Sequence, residues 1–185
     1  MSERRQQEVG IGSPHSALAV YIGNRPPLPE FESLEILIPL YEGCVANIVE
    51  QTGNHWRKIF NVYAKLGFAL SQRNDQGLAL SDGGQTSWQG YRDQMLLRDK
   101  SGLSLLFSQP DFSISELTIA KQVHIISGKK HADTLNVAAL PDLMEVGEDF
   151  VVSRACKVIV TPYFDYRQLS NKKLDKLVEI VCSLM

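Results

Sequence analysis

The sequence predicts an α/β fold: a mostly parallel, four-stranded sheet with helices on both faces. Three observations predict it. Short apolar runs stop abruptly at glycine, proline or charge; stretches with a single apolar stripe at helical spacing separate them; and the 185 residues are 44% hydrophobic and 22% charged, an ordinary globular balance. A chain of this length buries roughly two-thirds of the surface its unfolded form exposes, so it needs no disulfide or metal to fold. Residues 1–15 read as a disordered N-terminal arm, polar and then rich in glycine (Gly10, Gly12) with Ser13 and Pro14. Residues 16–185 read as one α/β domain.

Ala17 to Ile22 is an uninterrupted apolar run stopped by Gly23-Asn24-Arg25-Pro26-Pro27, the pattern of a strand buried on both faces. Phe31 to Thr52 is apolar at helical spacing, with Pro39 expected to kink or split it and Gly53 to close it. Asn54 is placed to cap a following helix that carries Trp56, Ile59, Phe60, Tyr63 and Ala64 on one face and stops at Gly67. Residues 71–102 are polar and glycine-rich and predict loops, with a short helix over 91–98. Leu103 to Phe107 is an apolar run of ambiguous type. Ser113 and Glu116 match a capping box, although the alternation after them suits a strand equally well. Val123 to Ser127 predicts a second buried strand, leading through Gly128 into a helix to about Ala139. Phe150 to Ser153 and Lys157 to Val160 predict two more strands joined tightly at Arg154-Ala155. Leu174, Leu177, Val178, Val181 and Cys182 repeat as one helical stripe.

The formal net charge of −2 gives no bulk attraction to nucleic acid or an anionic membrane. The N-terminus has no apolar signal core, and no run reaches the roughly 18–20 apolar residues that span a bilayer. A cytoplasmic location without a membrane partner is therefore expected. Cys44, Cys156 and Cys182 are odd in number and widely spaced, which predicts inert thiols in a reducing compartment. No His, Cys, Asp and Glu group has metal-ligand spacing, and no nucleophile elbow is present. The sequence carries no signal for an oligomeric state.

In mostly parallel sheets, ligands bind beyond the carboxyl ends of the strands. Three such ends are distinctive here: Gly23 to Pro27, Gly128 to His131, and Thr161 to Arg167. Asn24 and Arg25 suit contact with a base or phosphate, or simply a turn stiffened by two prolines. Gly128 with Lys129 and Lys130 suits a phosphate, or an ordinary strand–glycine–helix corner with solvated lysines; the spacing is no Walker motif. Tyr163, Phe164 and Tyr166 beside Asp165 and Arg167 suit stacking on bases, folding back onto the domain, or a protein contact. His15 reads as solvated, His55 as a flank of its helix and His124 as a core histidine.

Taken in order, these loops and one helix resemble the uracil-DNA glycosylase superfamily, most closely its mismatch-specific branch. Asn54-His55-Trp56-Arg57-Lys58-Ile59-Phe60, ending in Leu66-Gly67-Phe68, is similar to that branch's Asn-Arg-Phe-Trp-Lys helix with its Ala-Gly-Phe ending. Val123 to Lys129 is similar to its strand ending Leu-Gly-Lys. Lys157 to Pro162 and the helix Leu174-Asp175-Lys176-Leu177-Val178-Glu179 resemble its closing strand, Asn-Pro-Ser-Gly-Leu loop and Leu-Glu-Lys-Leu-Val-Glu helix. Ile22-Gly23-Asn24-Arg25-Pro26 stands where the family has Gly-Ile-Asn-Pro-Gly. The resemblance implies a three-layer α/β/α fold and DNA repair by hydrolysis of an N-glycosidic bond, with neither metal nor organic cofactor and with DNA or a nucleotide as partner. It implies that Asn24 or Arg25 positions the water or the sugar, that Asp165 is the general base, and that Tyr163 to Tyr166 hold the duplex open. Gly23, Gly128, Lys129, Tyr163, Phe164, Tyr166 and Arg167 would line the pocket. The motifs also depart from the family: Asn24 is one position early, Thr161 stands where the leaving-group Asn or His belongs, and Tyr163 stands where the Ser belongs. Those departures favour a second expectation, a catalytically inactive relative that binds a nucleotide, another small ligand or a partner protein.

Overall fold

The computed structural model describes residues 7–73, 80–112 and 122–185. Its strands are β1 (Gly10–Gly12), β2 (Leu18–Tyr21), β3 (Leu37–Ile38), β4 (Leu103–Leu106), β5 (Val123–Ser127), β6 (Leu143–Val146), β7 (Phe150–Ser153) and β8 (Val158–Thr161). Its helices are α1 (Pro29–Glu32), α2 (Cys44–Thr52), α3 (Asn54–Ser71), α4 (Trp88–Gln94), α5 (Lys129–Thr134) and α6 (Asn171–Ser183), with a 3-10 turn at Val137–Ala139. The α/β class is as expected, but the sheet is not four-stranded and mostly parallel. It has eight strands in the order β3-β1-β4-β2-β5-β8-β7-β6 and is mixed. β4, β2, β5 and β8 are mutually parallel neighbours, while β1 runs antiparallel to β4, and β7 and β6 add antiparallel strands beyond β8.

Three of the four flanking strands, β1, β3 and β6, differ from the central ones in chemistry. β3 is two residues long, and β6 exposes Met144 and Glu145 at the sheet edge, so neither presents a continuous apolar run. β1 lies in the segment expected to be a disordered arm; residues 1–6 of that segment lie outside the described residues. Gly10 and Gly12 are there for close approach. A Cβ on Gly10 would meet the Leu105 carbonyl, and one on Gly12 the Leu103 carbonyl, so bare backbone lets β1 pair with β4 while Ile11 is fully buried.

The long helix expected over 31–52 is divided. Around Pro39 the chain is extended, with β3 just before it, and the helical parts are the end of α1 at Phe31 and Glu32 and Cys44–Thr52, because proline removes a donor and clashes with the preceding turn. Gly53, at φ 77°, separates α2 from α3 and takes the cap position expected of Asn54. α3 runs through Gly67 to Ser71 and buries Trp56, Ile59, Phe60, Tyr63 and Leu66. In the polar middle, α4 starts at Ser87, whose hydroxyl accepts from Gly90 N at 3.1 Å. The capping-box segment at Ser113 and Glu116 lies outside the described residues. No helix among them is long and apolar enough to cross a membrane.

Alternate residues of the central strands supply two cores. Leu18, Val20, Leu103, Leu105, Val123, Ile125 and Ile159 pack with α2, α3, α4 and α6. Ala19, Tyr21, Leu106, Ile126, Val158 and Val160 pack with Ala132 of α5 and Val137. The period-two alternation of a strand puts both sets to use, which is why these strands are apolar on both faces, with only Ser104 in β4 and His124 in β5 interrupting the runs. In the first core, the buried Tyr91 hydroxyl has no hydrogen-bond partner among the described residues. An unpaired buried hydroxyl carries its desolvation cost without return. Tyr91→Phe is therefore expected to raise stability by about 1 kcal/mol, seen as a higher melting temperature; a lower one would mean that the hydroxyl is bonded.

Candidate functional site

The chain leaves β2 for β4 on one side of it, then crosses to β5 and β8 on the other. The winding therefore reverses between β2 and β5, where open α/β sheets place their ligands. A cavity of about 960 Å³ lies there, large enough for a drug-sized ligand. All four parallel strands end on it: β2 at Gly23 and Asn24, β4 at Phe107 and Ser108, β5 at Ser127 and Gly128, and β8 at Pro162 and Tyr163. Lys129, Lys130 and His131 of α5 form another wall, with Asp149 and Lys173 across from them.

The polar contacts at the mouth form a closed ring. The Tyr163 hydroxyl donates to Asn24 Oδ1 at 2.7 Å. Asn24 Nδ2 lies 3.1 Å from His55 Nε2, and the Tyr163 hydroxyl is also 3.1 Å from that nitrogen. The Tyr163 and His55 rings stack at 5.8 Å and 24°. Burial pushes the Tyr163 phenol up to about 12, against the opposing effect of the Asn24 bond, so it stays a protonated donor at neutral pH. Gly128 lies against this ring at φ 96°, a conformation side-chain-bearing residues rarely adopt, and a Cβ there would stand 3.4 Å from Tyr163 Cδ2.

The charge of the wall is positive. Lys173 is paired with Asp149 at 2.7 Å, which leaves Lys129 and Lys130 uncompensated by any carboxylate lining the cavity. Burial lowers the His131 imidazole below its ordinary value, so the ring is neutral at pH 7. A side chain at Gly23 would run into that ring. No group of His, Cys, Asp and Glu among the described residues could hold a metal ion.

The model of a family of unknown function, DUF6942, matches residues 9–182. The chain belongs to the DUF6942 family. No curated protein matches it, and no solved structure does.

Of the residues expected in the site, this DUF6942 chain brings Gly23, Asn24, Gly128, Lys129 and Tyr163 to one cavity. The others lie elsewhere. Arg25 Nη1 donates to the carbonyls of Phe31, Glu32 and Leu34 at 3.1, 3.1 and 2.8 Å, and its guanidinium lies 5.5 Å over the Phe107 ring. It ties down the end of α1, where a cation is favourable. Phe164 is fully buried, edge-on to Tyr63 at 5.7 Å. The Asp165 carboxylate is held at 2.9 Å by Lys58 Nζ and at 2.9 Å by Arg167 N. Partial burial would raise it, but the Arg167 N–H and the Lys58 ammonium outweigh that and hold it below the usual carboxylate range. So held, it is a poor general base. Tyr166 is 54% exposed, with Lys58 Nζ 5.3 Å from its ring, and the Arg167 side chain is exposed. Thr161, which stands at the leaving-group position of the resemblance, is buried and donates to Pro162 O at 2.8 Å.

Sequence reasoning placed His131 at the Gly128–His131 strand end, read His55 only as a flank of its helix, and passed over Phe107, Asp149 and Lys173. His55 carries a signal only in retrospect, as the polar residue in the first turn of a long apolar-faced helix. Phe107 follows a strand of unclear type, and Asp149 and Lys173 lie far from any motif, so their convergence is purely tertiary.

Proposed function

We propose that the cavity binds a small anionic ligand carrying a planar base, with a mononucleotide, free or within a strand, the best fit to its chemistry. The observation that carries this reading is the convergence of Asn24, Gly128, Lys129 and Tyr163 on one cavity with two lysines, Lys129 and Lys130, that no carboxylate of its described lining pairs. Phosphate would lie toward Lys129 and Lys130, and the base toward Asn24, His55 and Phe107, where stacking surfaces and an amide are close together. Four central parallel strands with both faces covered support a three-layer, glycosylase-like domain as the frame for this site. The net charge of −2 argues against a broad electrostatic footprint on duplex DNA, so recognition would be local.

Base excision is the second reading, and the position of Asn24 favours it. The Asn24 amide faces the cavity, where it could orient a water toward a sugar carbon. Against it stand Asp165, already held by Lys58, and Thr161, buried in the sheet. Binding of uridine 5′-monophosphate by calorimetry, and uracil release from single-stranded and G·U-mismatched DNA, test both. The expected result is nucleotide binding that weakens about tenfold, with a shallower salt dependence, in the Lys129→Ala/Lys130→Ala double variant, the loss of roughly 1.4 kcal/mol. Release of uracil that disappears in Asn24→Ala would move the function to excision. If neither the nucleotide nor a single-stranded oligonucleotide binds, both readings are wrong.

A further inference from the structure

The ring at the cavity mouth is arranged as a ligand site already filled by the protein's own side chain. Tyr163 follows β8, yet its hydroxyl reaches across the end of β5 to Asn24 beyond β2. In doing so it makes the contacts a bound heterocycle would make. One aromatic ring stacks on His55. Its edge donates a hydrogen bond to a primary amide. It lies against Gly128, which has no side chain to fill that space. We propose that Tyr163 occupies a planar-ring subsite formed by His55, Asn24 and Gly128, and that the ligand's ring enters by displacing it.

The inference rests on the nucleotide-binding reading and specifies which part of the ligand goes where. The ring admitted is planar and uncharged, with an N–H or O–H group toward Asn24 Oδ1. A lactam edge suits it best, since its carbonyl can also accept from Asn24 Nδ2, the amide proton that now faces His55. Displacement is feasible because what holds the Tyr163 side chain is its hydroxyl's contacts with Asn24 Oδ1 and His55 Nε2 and one stacked pair near the surface, each worth about 1 kcal/mol. The residue is only partly buried, whereas its neighbour Phe164 is fully buried and anchors the loop. A side chain that fills the site most of the time lowers the apparent affinity by the fraction of time the site is open.

The sign of the effect of removing Tyr163 tests the idea. Were Tyr163 a wall of the site, Tyr163→Ala would weaken binding. As the occupant, its removal strengthens binding of uridine 5′-monophosphate, by about tenfold if the wild-type site is open roughly a tenth of the time. Tyr163→Phe, which keeps the ring and loses the bond to Asn24, gives a smaller gain. The gain disappears when Asn24→Ala is added to Tyr163→Ala. Phenol, the excised ring itself, raises the melting temperature of Tyr163→Ala and not of the wild type. Wild-type binding with equal or weaker binding by Tyr163→Ala overturns this inference and leaves the nucleotide-binding reading standing. Absence of nucleotide binding in every form overturns that reading and this inference with it. If Tyr163→Ala fails to fold, Tyr163→Phe decides: a gain supports displacement, and no gain overturns it.

Discussion

Phe164→Ala is expected to destabilise the fold by about 4 kcal/mol, the range for removing a buried phenylalanine ring, with loss of nucleotide binding only as far as the protein unfolds. Phe164 is fully buried against Tyr63, and its backbone N–H donates to Ser127 Oγ at 3.1 Å. Ser127 in turn lines the cavity. The substitution therefore removes core contacts directly beneath the site while deleting no ligand contact. Chemical denaturation should show a lower midpoint, and nucleotide affinity corrected for the folded fraction should change less than threefold, or about 0.6 kcal/mol. A stable variant that has lost binding would place Phe164 at the ligand and overturn its assignment to the core.

Acidification is expected to remove about 3 kcal/mol of stability through His124 alone. The Tyr21 hydroxyl is 3.1 Å from His124 Nδ1, and the two rings stack at 5.8 Å. Tyr21 is buried, and burial raises its phenol, so it remains the donor and His124 Nδ1 the acceptor. Burial lowers the imidazole from 6.5 to about 4. Above pH 6.5 the ring is neutral in both states and nothing is lost. As the pH falls from 6.5 toward 4, the unfolded chain takes up a proton that the folded chain refuses, and stability drops with a slope of about 1.4 kcal/mol per pH unit. His131 is shifted in the same direction, and Asp142 and Asp165 lose their own contribution at lower pH, so the wild-type curve alone does not isolate His124. Comparison with His124→Asn, which keeps an acceptor for Tyr21, does. The stability difference between the two proteins should change by about 3 kcal/mol between pH 7 and pH 4. Parallel curves would mean that His124 is not the group titrating.

The legible parts of the fold are those where burial is nearly complete and therefore written in composition. β5 and β7 have the bounds their apolar runs predict, β8 is offset by one residue, and the stripe of Leu174, Leu177, Val178 and Val181 is the buried face of α6. β1, β3 and β6 were not legible because an edge or glycine-rich strand has little side-chain surface to bury, and backbone pairing leaves no mark on the sequence. The same division runs through the site. Gly23, Asn24, Gly128, Lys129 and Tyr163 were within reach because parallel strands bring their following residues to one edge. Arg25 and Phe164 stand next to residues of the cavity and Asp165 two positions from Tyr163, and nearness in sequence does not say which way a side chain turns.

Strand-sized apolar runs between amphipathic helices thus determined the α/β class, three of the four central strands (β2, β5 and β8, with β4 left ambiguous) and which loops could meet. Whether Tyr163 or Phe164 faces the cavity, whether Asp165 is free or held by Lys58, and that His55 closes a ring with Asn24, were decided only by tertiary structure. The physical reason is one of range. Hydrophobic burial acts on every residue of an element and leaves a periodic trace in the sequence. A hydrogen bond or ion pair between residues as distant as Tyr163 and Asn24 depends on a few tenths of an ångström set by packing elsewhere.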